Sequence, residues 1–268
     1  MSSAVQLGPL LLPFALLLVF ASAGSALALG KWLSKSSAEV DRALWHALLV
    51  GVVLARLAFV YEYRSLYLAS PLTILDIRDG GWNPTVGLIG AWMFSLYRDR
   101  RAPVIRRPLR WALALGTAIF MAGTAILTFQ GGSGQKLPEL AFTSLQGKAV
   151  QLKDFEGKPT VINLWATWCP PCVREMPVLH QAQARHREVN FVFLNQGEDP
   201  GQVSRWLESQ RLPLQNVLFD PKRQASAAFQ QKGYPTTLFF NAKGELVSSR
   251  IGELSAATLD EKLKALTR

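Results

Sequence analysis

The first half of this chain gathers its apolar residues into four long runs, and these constrain the fold more than any other feature of the sequence. They cover residues 10–29, 44–60, 86–97 and 111–129. A helix needs about 20 apolar residues to cross a bilayer. Arg56 interrupts the second run, and the third is short even when Trp82 extends it upstream. We expect an α-helical transmembrane domain of about four spans over residues 1–130.

A cleavable signal peptide is an alternative for the first run, encouraged by the small residues Ala26 and Ala28. Signal peptides normally begin with a positively charged segment, which is missing before Leu10, and further apolar runs follow. We therefore expect an uncleaved span.

Basic residues predict the orientation of these spans. The chain has 29 Lys and Arg against 19 Asp and Glu, a formal charge of +10. Nine of the twelve basic residues before Gln135 fall in two loops, as Lys31, Lys35, Arg42, Arg98, Arg100, Arg101, Arg106, Arg107 and Arg110. Loops rich in Lys and Arg stay in the cytoplasm. Four spans then place both chain ends outside it, and because this charge is a topology signal we expect no nucleic-acid binding.

The second half has the pattern of an α/β domain. Residues 131–136 predict a short linker, and residues 137–268 alternate strand and helix signals. Strands are predicted at residues 140–142, 150–152, 160–165, 191–194, 217–219, 237–240 and 246–251, and helices from Pro170, at 202–210 and after Ser255. About 130 residues suffice for one independently folded core.

Cys169 and Cys172 are the only cysteines of the chain, and two residues separate them. They follow a short apolar strand and stand where a helix is predicted to begin. Unpaired N–H groups at a helix N-terminus stabilise a thiolate, which favours Cys169 as the nucleophile. Cys172, one turn inside the helix, would be the resolving thiol. This arrangement predicts a redox-active disulfide.

Two other roles for the cysteine pair are weaker. A zinc site needs about four ligands, and the spacing of His180 and His186 from the cysteines fits no common zinc pattern, so we expect no metal. A purely structural disulfide across two residues would close too small a loop to stabilise the fold appreciably.

Three motifs relate the second half to a known family: "VINLWATWCPPCVREMP", "FVFLNQGED" and "GYPTTLFFNAKGELV". With them the chain resembles the thioredoxin superfamily, and within it the membrane-tethered TlpA/ResA type of thiol-disulfide oxidoreductase, from about Gln135 to Arg268. The resemblance implies a thioredoxin-like fold and favours the reductive direction, whereas the basic loops predict the periplasmic location. An exchangeable disulfide also suits the periplasm better than the cytosol.

The resemblance further implies roles around the cysteines. Pro235 would be a cis-proline facing the disulfide, with an ordinary trans-proline at a strand start as the alternative. Trp168 and Tyr234 would contribute to the substrate-docking surface, whereas Trp165 on the strand is expected in the core. Glu175, one turn after Cys172, would carry protons to and from the thiols. The alternative is that Glu175 is a solvated surface charge that pairs with Arg174 or its neighbours.

The membrane half shows a second resemblance, over residues 50–92. The stretch "VGVVLARLAFVYEYRSLYLASPLTILDIRDGGWNPTVGLIGAW" is similar to the early part of prolipoprotein diacylglyceryl transferase, including Arg56 and the Asp-Gly-Gly that begins at Asp79. Where that family has His-Gly-Gly, this chain has Thr85, Val86 and Gly87, and the later spans are absent. We therefore expect no acyl transfer, but a membrane platform that binds a lipid or a partner.

Arg56 would be a charge inside the membrane that needs a partner such as Glu62 or Asp79. The alternative is an arginine that packs between helices and extends its head to the lipid headgroups. The sequence leaves both open.

Together these features predict a bacterial inner-membrane, multi-pass thiol-disulfide oxidoreductase with its thioredoxin-like domain in the periplasm. It would reduce disulfides of periplasmic proteins, apocytochrome c being one example, and would need no cofactor. Because no further cysteine exists in the membrane half, a separate membrane protein must donate electrons. Two alternatives stay open: a disulfide-forming oxidase using the same cysteines, and a lipid- or lipoprotein-handling protein with an accessory redox domain.

Overall fold

A computed structural model describes residues 4–7, 10–69, 71–131 and 134–266. Gly132 and Ser133 of the expected linker lie outside the described residues, as do a few positions of the two expected domains. The chain divides into two compact units. One is helical and comprises Leu12–Ile77 and Gly81–Thr128; the other contains Phe129–Arg268 together with two short upstream pieces.

The helical unit is built on four long helices, of which three are long and apolar enough to cross a membrane: Phe14–Leu33, Ala38–Glu62 and Pro103–Phe129. Its α-helices are α1 (Phe14–Leu33), α2 (Ala38–Glu62), α3 (Arg64–Ala69), α4 (Pro84–Arg101) and α5 (Arg106–Gly131). Short 3₁₀ turns form at Pro71–Leu75, Ile77–Asp79 and Pro103–Ile105. The four predicted runs thus fall in α1, α2, α4 and α5.

The first run begins its helix later than predicted. Leu10–Pro13 is a strand, β2, that pairs with β1 (Ala4–Leu7), and α1 starts at Phe14. Pro13 stands immediately before the helix, where its missing N–H costs no helical hydrogen bond. The helix therefore begins four residues after the start of the predicted apolar run.

α4 contains the third predicted run but is not among the three most apolar helices. Its last turns carry Arg98, Asp99, Arg100 and Arg101, which lower the mean hydropathy of an already short helix. It nevertheless packs along α2 at very short range. A Cβ added to Gly87 would lie 2.8 Å from the carbonyl oxygen of Gly51. Such small-residue contacts are a common way for membrane helices to pack closely.

Arg56 on α2 is buried, with 8% of its surface exposed, so it does not extend to a surface as the headgroup alternative required. Its guanidinium donates hydrogen bonds to main-chain carbonyl oxygens of the following segment. These are Thr73 O at 3.2 Å, Ile74 O at 3.0 Å, Asp76 O at 3.0 Å and Gly81 O at 2.8 Å. The rings of Tyr67 and Trp82 lie within 6 Å of the cation, a distance at which aromatic faces attract it. Arg56 therefore organises the irregular segment between α3 and α4.

The second unit is a seven-stranded mixed sheet flanked by helices. Its strands are β3 (Ala141–Ser144), β4 (Ala149–Gln151), β5 (Thr160–Trp165), β6 (Asn190–Gln196), β7 (Val217–Asp220), β8 (Thr236–Phe240) and β9 (Leu246–Ile251). They lie in the order β4-β3-β7-β6-β5-β8-β9. Central β5 runs parallel to β6 and antiparallel to β8, and all six of its residues are buried.

Helices cover both faces of this sheet. They are α6 (Pro170–Arg185), α7 (Pro200–Ser209), α8 (Gln224–Ala228) and α9 (Ala256–Leu266), with a 3₁₀ turn at Leu152–Phe155. Alternate residues of β5 enter two cores: Val161 and Trp165 pack with α6, α7 and α9, while Ile162 and Leu164 pack with α8. The predicted fold class, a helical membrane domain followed by a thioredoxin-like α/β domain, is confirmed.

Candidate functional site

Cys169 and Cys172 form a disulfide at the point where β5 leads into α6, with their Cα atoms 5.3 Å apart. Cys169 is the N-cap of the helix, and its Sγ accepts a hydrogen bond from the N–H of Cys172 at 3.3 Å. Pro170 and Pro171 occupy the first helical turn, where no N–H donor is needed. The sulfur of Cys169 thus lies at the positive end of α6, which stabilises negative charge there.

The two sulfurs differ in their access to solvent. Cys172 is completely buried, whereas Cys169 keeps a small exposed fraction between the exposed residues Trp168 and Pro170. Trp168 has 59% of its surface exposed, although it is a large aromatic residue. A partner molecule can therefore approach the disulfide from the side of Cys169.

The loop before β8 brings a second element to this side. The Tyr234–Pro235 peptide bond is cis, as the resemblance implies. The ring of Tyr234 packs edge to face against Trp168, with centroids 6.0 Å apart. The Tyr234 hydroxyl is hydrogen-bonded at 3.1 Å to Ser226, which in turn donates to Gln196 at 2.8 Å. The two expected docking residues are thus in contact, and a buried polar pair fixes one of them.

Glu175 is completely buried one turn after Cys172, so it is not the solvated surface charge of the alternative interpretation. Its Oε1 accepts a hydrogen bond from Asn163 Nδ2 at 2.7 Å, and its Oε2 accepts one from the Leu254 N–H at 3.0 Å. Burial raises the pKa of Glu175 to about 8, although these two hydrogen bonds oppose the rise. The neighbouring Arg174 pairs with Glu253 instead, at 2.7 Å.

Sequence reasoning did not single out Asn163. It lies on β5 directly opposite Thr237 of β8, and its Nδ2 also donates to Thr237 Oγ1 at 3.0 Å. The signal that could have identified it is an amide side chain that lies between apolar residues of the strand. A buried amide needs hydrogen-bond partners, so its position indicates other polar groups nearby.

Glu198 is a second residue that sequence reasoning missed, although it lies in the quoted "FVFLNQGED" motif. Its carboxylate accepts hydrogen bonds from the Thr167 N–H at 2.7 Å, from the Thr167 hydroxyl and from Asn195 Nδ2 at 2.7 Å. Glu198 therefore anchors the segment between β5 and Cys169, and so contributes to the placement of Trp168.

No cluster of three or more His, Cys, Asp or Glu side chains that could hold a metal ion occurs within residues 4–7, 10–69, 71–131 and 134–266. His186 lies 3.0 Å from Glu188, in an exposed pair at the end of α6.

Trp165, expected in the core, is buried, and its ring packs against that of Trp206 with centroids 5.4 Å apart. The site thus brings together the two sulfurs and, one turn further along α6, the buried carboxyl of Glu175.

Comparisons with known proteins agree with this chemistry. The redoxin family model matches residues 132–264. Thiol-disulfide oxidoreductase ResA of Bacillus thuringiensis subsp. konkukian is 29% identical over 136 residues, which cover 50% of this chain and 78% of that protein. Thioredoxin-like protein YneN of Bacillus subtilis is 30% identical over 136 residues, with 48% and 78% covered.

Among solved structures, a putative thiol:disulfide interchange protein DsbE from Chlorobium tepidum is similar to this chain. The match has 28% sequence identity and a TM-score of 0.47, and it covers 50% of this chain and 97% of that one.

Proposed function

Since this chain belongs to the redoxin family and is a thiol-disulfide oxidoreductase, we propose that it reduces disulfides of periplasmic proteins while anchored in the bacterial inner membrane. The observation that carries the proposal is the disulfide at the N-terminus of α6, with one sulfur beside an exposed aromatic residue and the other buried. Apocytochrome c is one substrate that such a reductase would serve.

The reaction begins with the reduced dithiol. The Cys169 thiolate, stabilised by the N-terminus of α6, attacks a substrate disulfide and releases one substrate thiolate, leaving a mixed disulfide. Cys172 then loses its proton and attacks Cys169 Sγ. The Cys169–Cys172 bond forms, the bond to the substrate breaks, and the second substrate thiolate leaves. Two electrons pass from the enzyme to the substrate, so a separate membrane electron donor must reduce the enzyme again.

Glu175 is the residue that we assign to proton transfer. A carboxyl with a pKa of about 8 exchanges protons in the range where a thiol of pKa near 8.5 also titrates. It takes the proton of Cys172 when that thiol attacks, and returns it when the disulfide is reduced. Trp168, Tyr234 and Pro235 form the docking surface for the substrate chain.

The reduction potential of the full chain in detergent micelles tests the direction of this reaction. We expect a potential below about −250 mV, because protein reductants lie below the glutathione couple. The measurement equilibrates the protein with dithiothreitol buffers and alkylates the free thiols. A potential near about −120 mV, typical of a strong oxidant, would instead support a disulfide-forming enzyme.

We further propose that α1, α2, α4 and α5 cross the membrane in turn, with the second unit in the periplasm. The ends of α1, α2 and α5 that adjoin the basic loops each carry an exposed tryptophan, Trp32, Trp45 and Trp111. Tryptophan concentrates at membrane interfaces, and basic loops concentrate on the cytoplasmic side. Both features support placing these three helix ends at the cytoplasmic interface of the membrane. The close packing of α4 along α2 supports a fourth crossing.

Cysteine labelling tests this orientation. Ser209→Cys on exposed α7 and Ser36→Cys in the first basic loop are introduced separately into a Cys169→Ala/Cys172→Ala chain. We expect a membrane-impermeant maleimide to label the first variant in intact spheroplasts and the second only after permeabilisation. The reverse pattern would place the redox domain in the cytoplasm and contradict the proposal.

The resemblance of residues 50–92 to prolipoprotein diacylglyceryl transferase stays a prediction. We propose for this region a membrane platform that binds a lipid or a partner, without acyl transfer.

A further inference from the structure

The hydrogen bonds of Asn163 suit one protonation state of Glu175 better than the other. Asn163 is buried, and its Nδ2 donates to both Glu175 Oε1 and Thr237 Oγ1. Its Oδ1 is also buried and has no hydrogen-bond partner among the residues that the structure describes. A buried amide that uses only its donors leaves its acceptor unsatisfied, which costs free energy.

The hydrogen bonds of the Glu175 carboxyl also suit one protonation state, the ionised one. Both of its oxygens accept hydrogen bonds from N–H donors, Asn163 Nδ2 on one side and the Leu254 main chain on the other. This arrangement fits an ionised carboxylate. If Oε1 took up a proton, its O–H would point at the amide NH₂ and two donors would face each other. The neutral acid therefore needs a different partner at the same place.

We propose that Asn163 is a positioning residue whose side-chain amide turns over when Glu175 takes up a proton, so that Oδ1 replaces Nδ2 opposite the carboxyl. The inference rests on the proposed function of Glu175 as the proton carrier for Cys172. An amide oxygen and an amide NH₂ occupy nearly the same space, so the turn needs no rearrangement of the packing.

Thr237 makes both orientations possible. A hydroxyl is both a donor and an acceptor, and its hydrogen rotates to suit its partner. In one orientation Thr237 Oγ1 accepts from Asn163 Nδ2, as the structure shows. After the turn, the same hydroxyl donates to Oδ1, which also accepts the O–H of Glu175. In each protonation state the amide, the hydroxyl and Oε1 are then joined by hydrogen bonds, while the remaining amide atom, Oδ1 before the turn and Nδ2 after it, has no partner among the described residues.

Burial and charged neighbours together set the pH at which this change occurs. Arg250 on β9 favours the ionised form of Glu175, and Glu253, just beyond β9, favours the neutral form. Burial is the largest influence and places the pKa of Glu175 at about 8. On α6 the preceding residue, Arg174, pairs with Glu253, and the two cysteines carry no proton in the disulfide form. The oxidised protein therefore isolates the titration of Glu175.

Nuclear magnetic resonance of the full chain in detergent micelles tests the proposal. The oxidised protein is labelled with ¹⁵N-asparagine and ¹³C-glutamate and titrated from about pH 5 to 10, a range that spans the raised pKa of the carboxyl. We expect the side-chain NH₂ signals of Asn163 to shift with the same midpoint as the Glu175 carboxyl carbon. In Glu175→Gln, the Asn163 signals should not titrate.

Two variants at Asn163 complete the test. The side-chain NH₂ signal that disappears in these variants is thereby identified as that of Asn163. Asn163→Leu should raise the midpoint of Glu175 by about one pH unit, because the carboxylate loses a donor. Asn163→Ser keeps a group that can donate or accept, and should shift the midpoint less. If Asn163→Leu does not fold, the comparison of the natural chain with Glu175→Gln still decides whether the Asn163 signals follow the titration of Glu175.

Asn163 signals that stay constant while the Glu175 carboxyl titrates would overturn the inference, as would an unchanged midpoint in a folded Asn163→Leu protein. Failure of the proposed function is a separate result. A chain that reduces no protein disulfide would refute the reductase, yet its oxidised form could still show the coupled titration.

Discussion

A Cys172→Ala chain is expected to accumulate mixed disulfides with its substrates, at least about tenfold above the natural chain, because the resolving step is lost while the attack by Cys169 remains. Cys169 lies at the N-terminus of α6 beside exposed Trp168, so it can still form the bond to the substrate. The adducts are measured in cells on non-reducing gels, and mass spectrometry then identifies the partners.

The matched control is Cys169→Ala, which leaves only the buried Cys172. We expect few adducts from this variant, because the remaining sulfur is shielded by the surrounding core. Equal trapping by the two variants would mean that either cysteine can attack, and would contradict the assigned order of the two sulfurs.

Glu175→Gln is expected to remove a pH dependence of folding stability. Burial raises the pKa of Glu175 from the ordinary 4.5 to about 8, so between these values the folded chain keeps a proton that the unfolded chain releases. Stability therefore falls as the pH rises through this window, and the full penalty applies above pH 8. At about 1.4 kcal/mol per pH unit, the penalty is at most about 5 kcal/mol.

Hydrogen exchange of the β5 amides in the oxidised full chain, corrected for intrinsic rates, measures this effect. Glu175→Gln should lose the decline in protection between pH 5 and 8, and its reduced form should show an altered pH dependence of cysteine reactivity. Glu208→Gln is the control, because that side chain is exposed on α7 and is not among the groups that shift the pKa of Glu175. A decline that persists unchanged in Glu175→Gln, together with unaltered thiol titration, would remove Glu175 from the mechanism.

The sequence predicted the region around the disulfide well because local signals agree there. A continuous apolar strand, two prolines and the cysteine spacing all point to a strand that ends just before a helix, and β5 and α6 have those bounds. The cis form of Pro235 followed from the family resemblance and not from composition. The burial of Glu175 could not be predicted, because its second donor, Leu254, lies 79 residues away along the chain.

Short-range patterns also misled in the helical half. Leu10, Leu11 and Leu12 read equally well as strand or helix, since a brief apolar run has no diagnostic period. The surroundings of Arg56 were unpredictable for a different reason. Among its acceptors are main-chain carbonyls 17 to 25 residues further on, and any residue type supplies a carbonyl.

The close approach of α2 and α4 has a consequence for how this protein tolerates mutation. At Gly87, even a single added methyl group would meet main-chain atoms of the opposite helix, which cannot move aside as a flexible side chain could. Bulky Leu57 and Leu72, in contrast, are largely exposed and could exchange for other apolar residues at little cost. The helical half should therefore be most vulnerable to substitution at the glycines where α2 and α4 meet, Gly51 and Gly87.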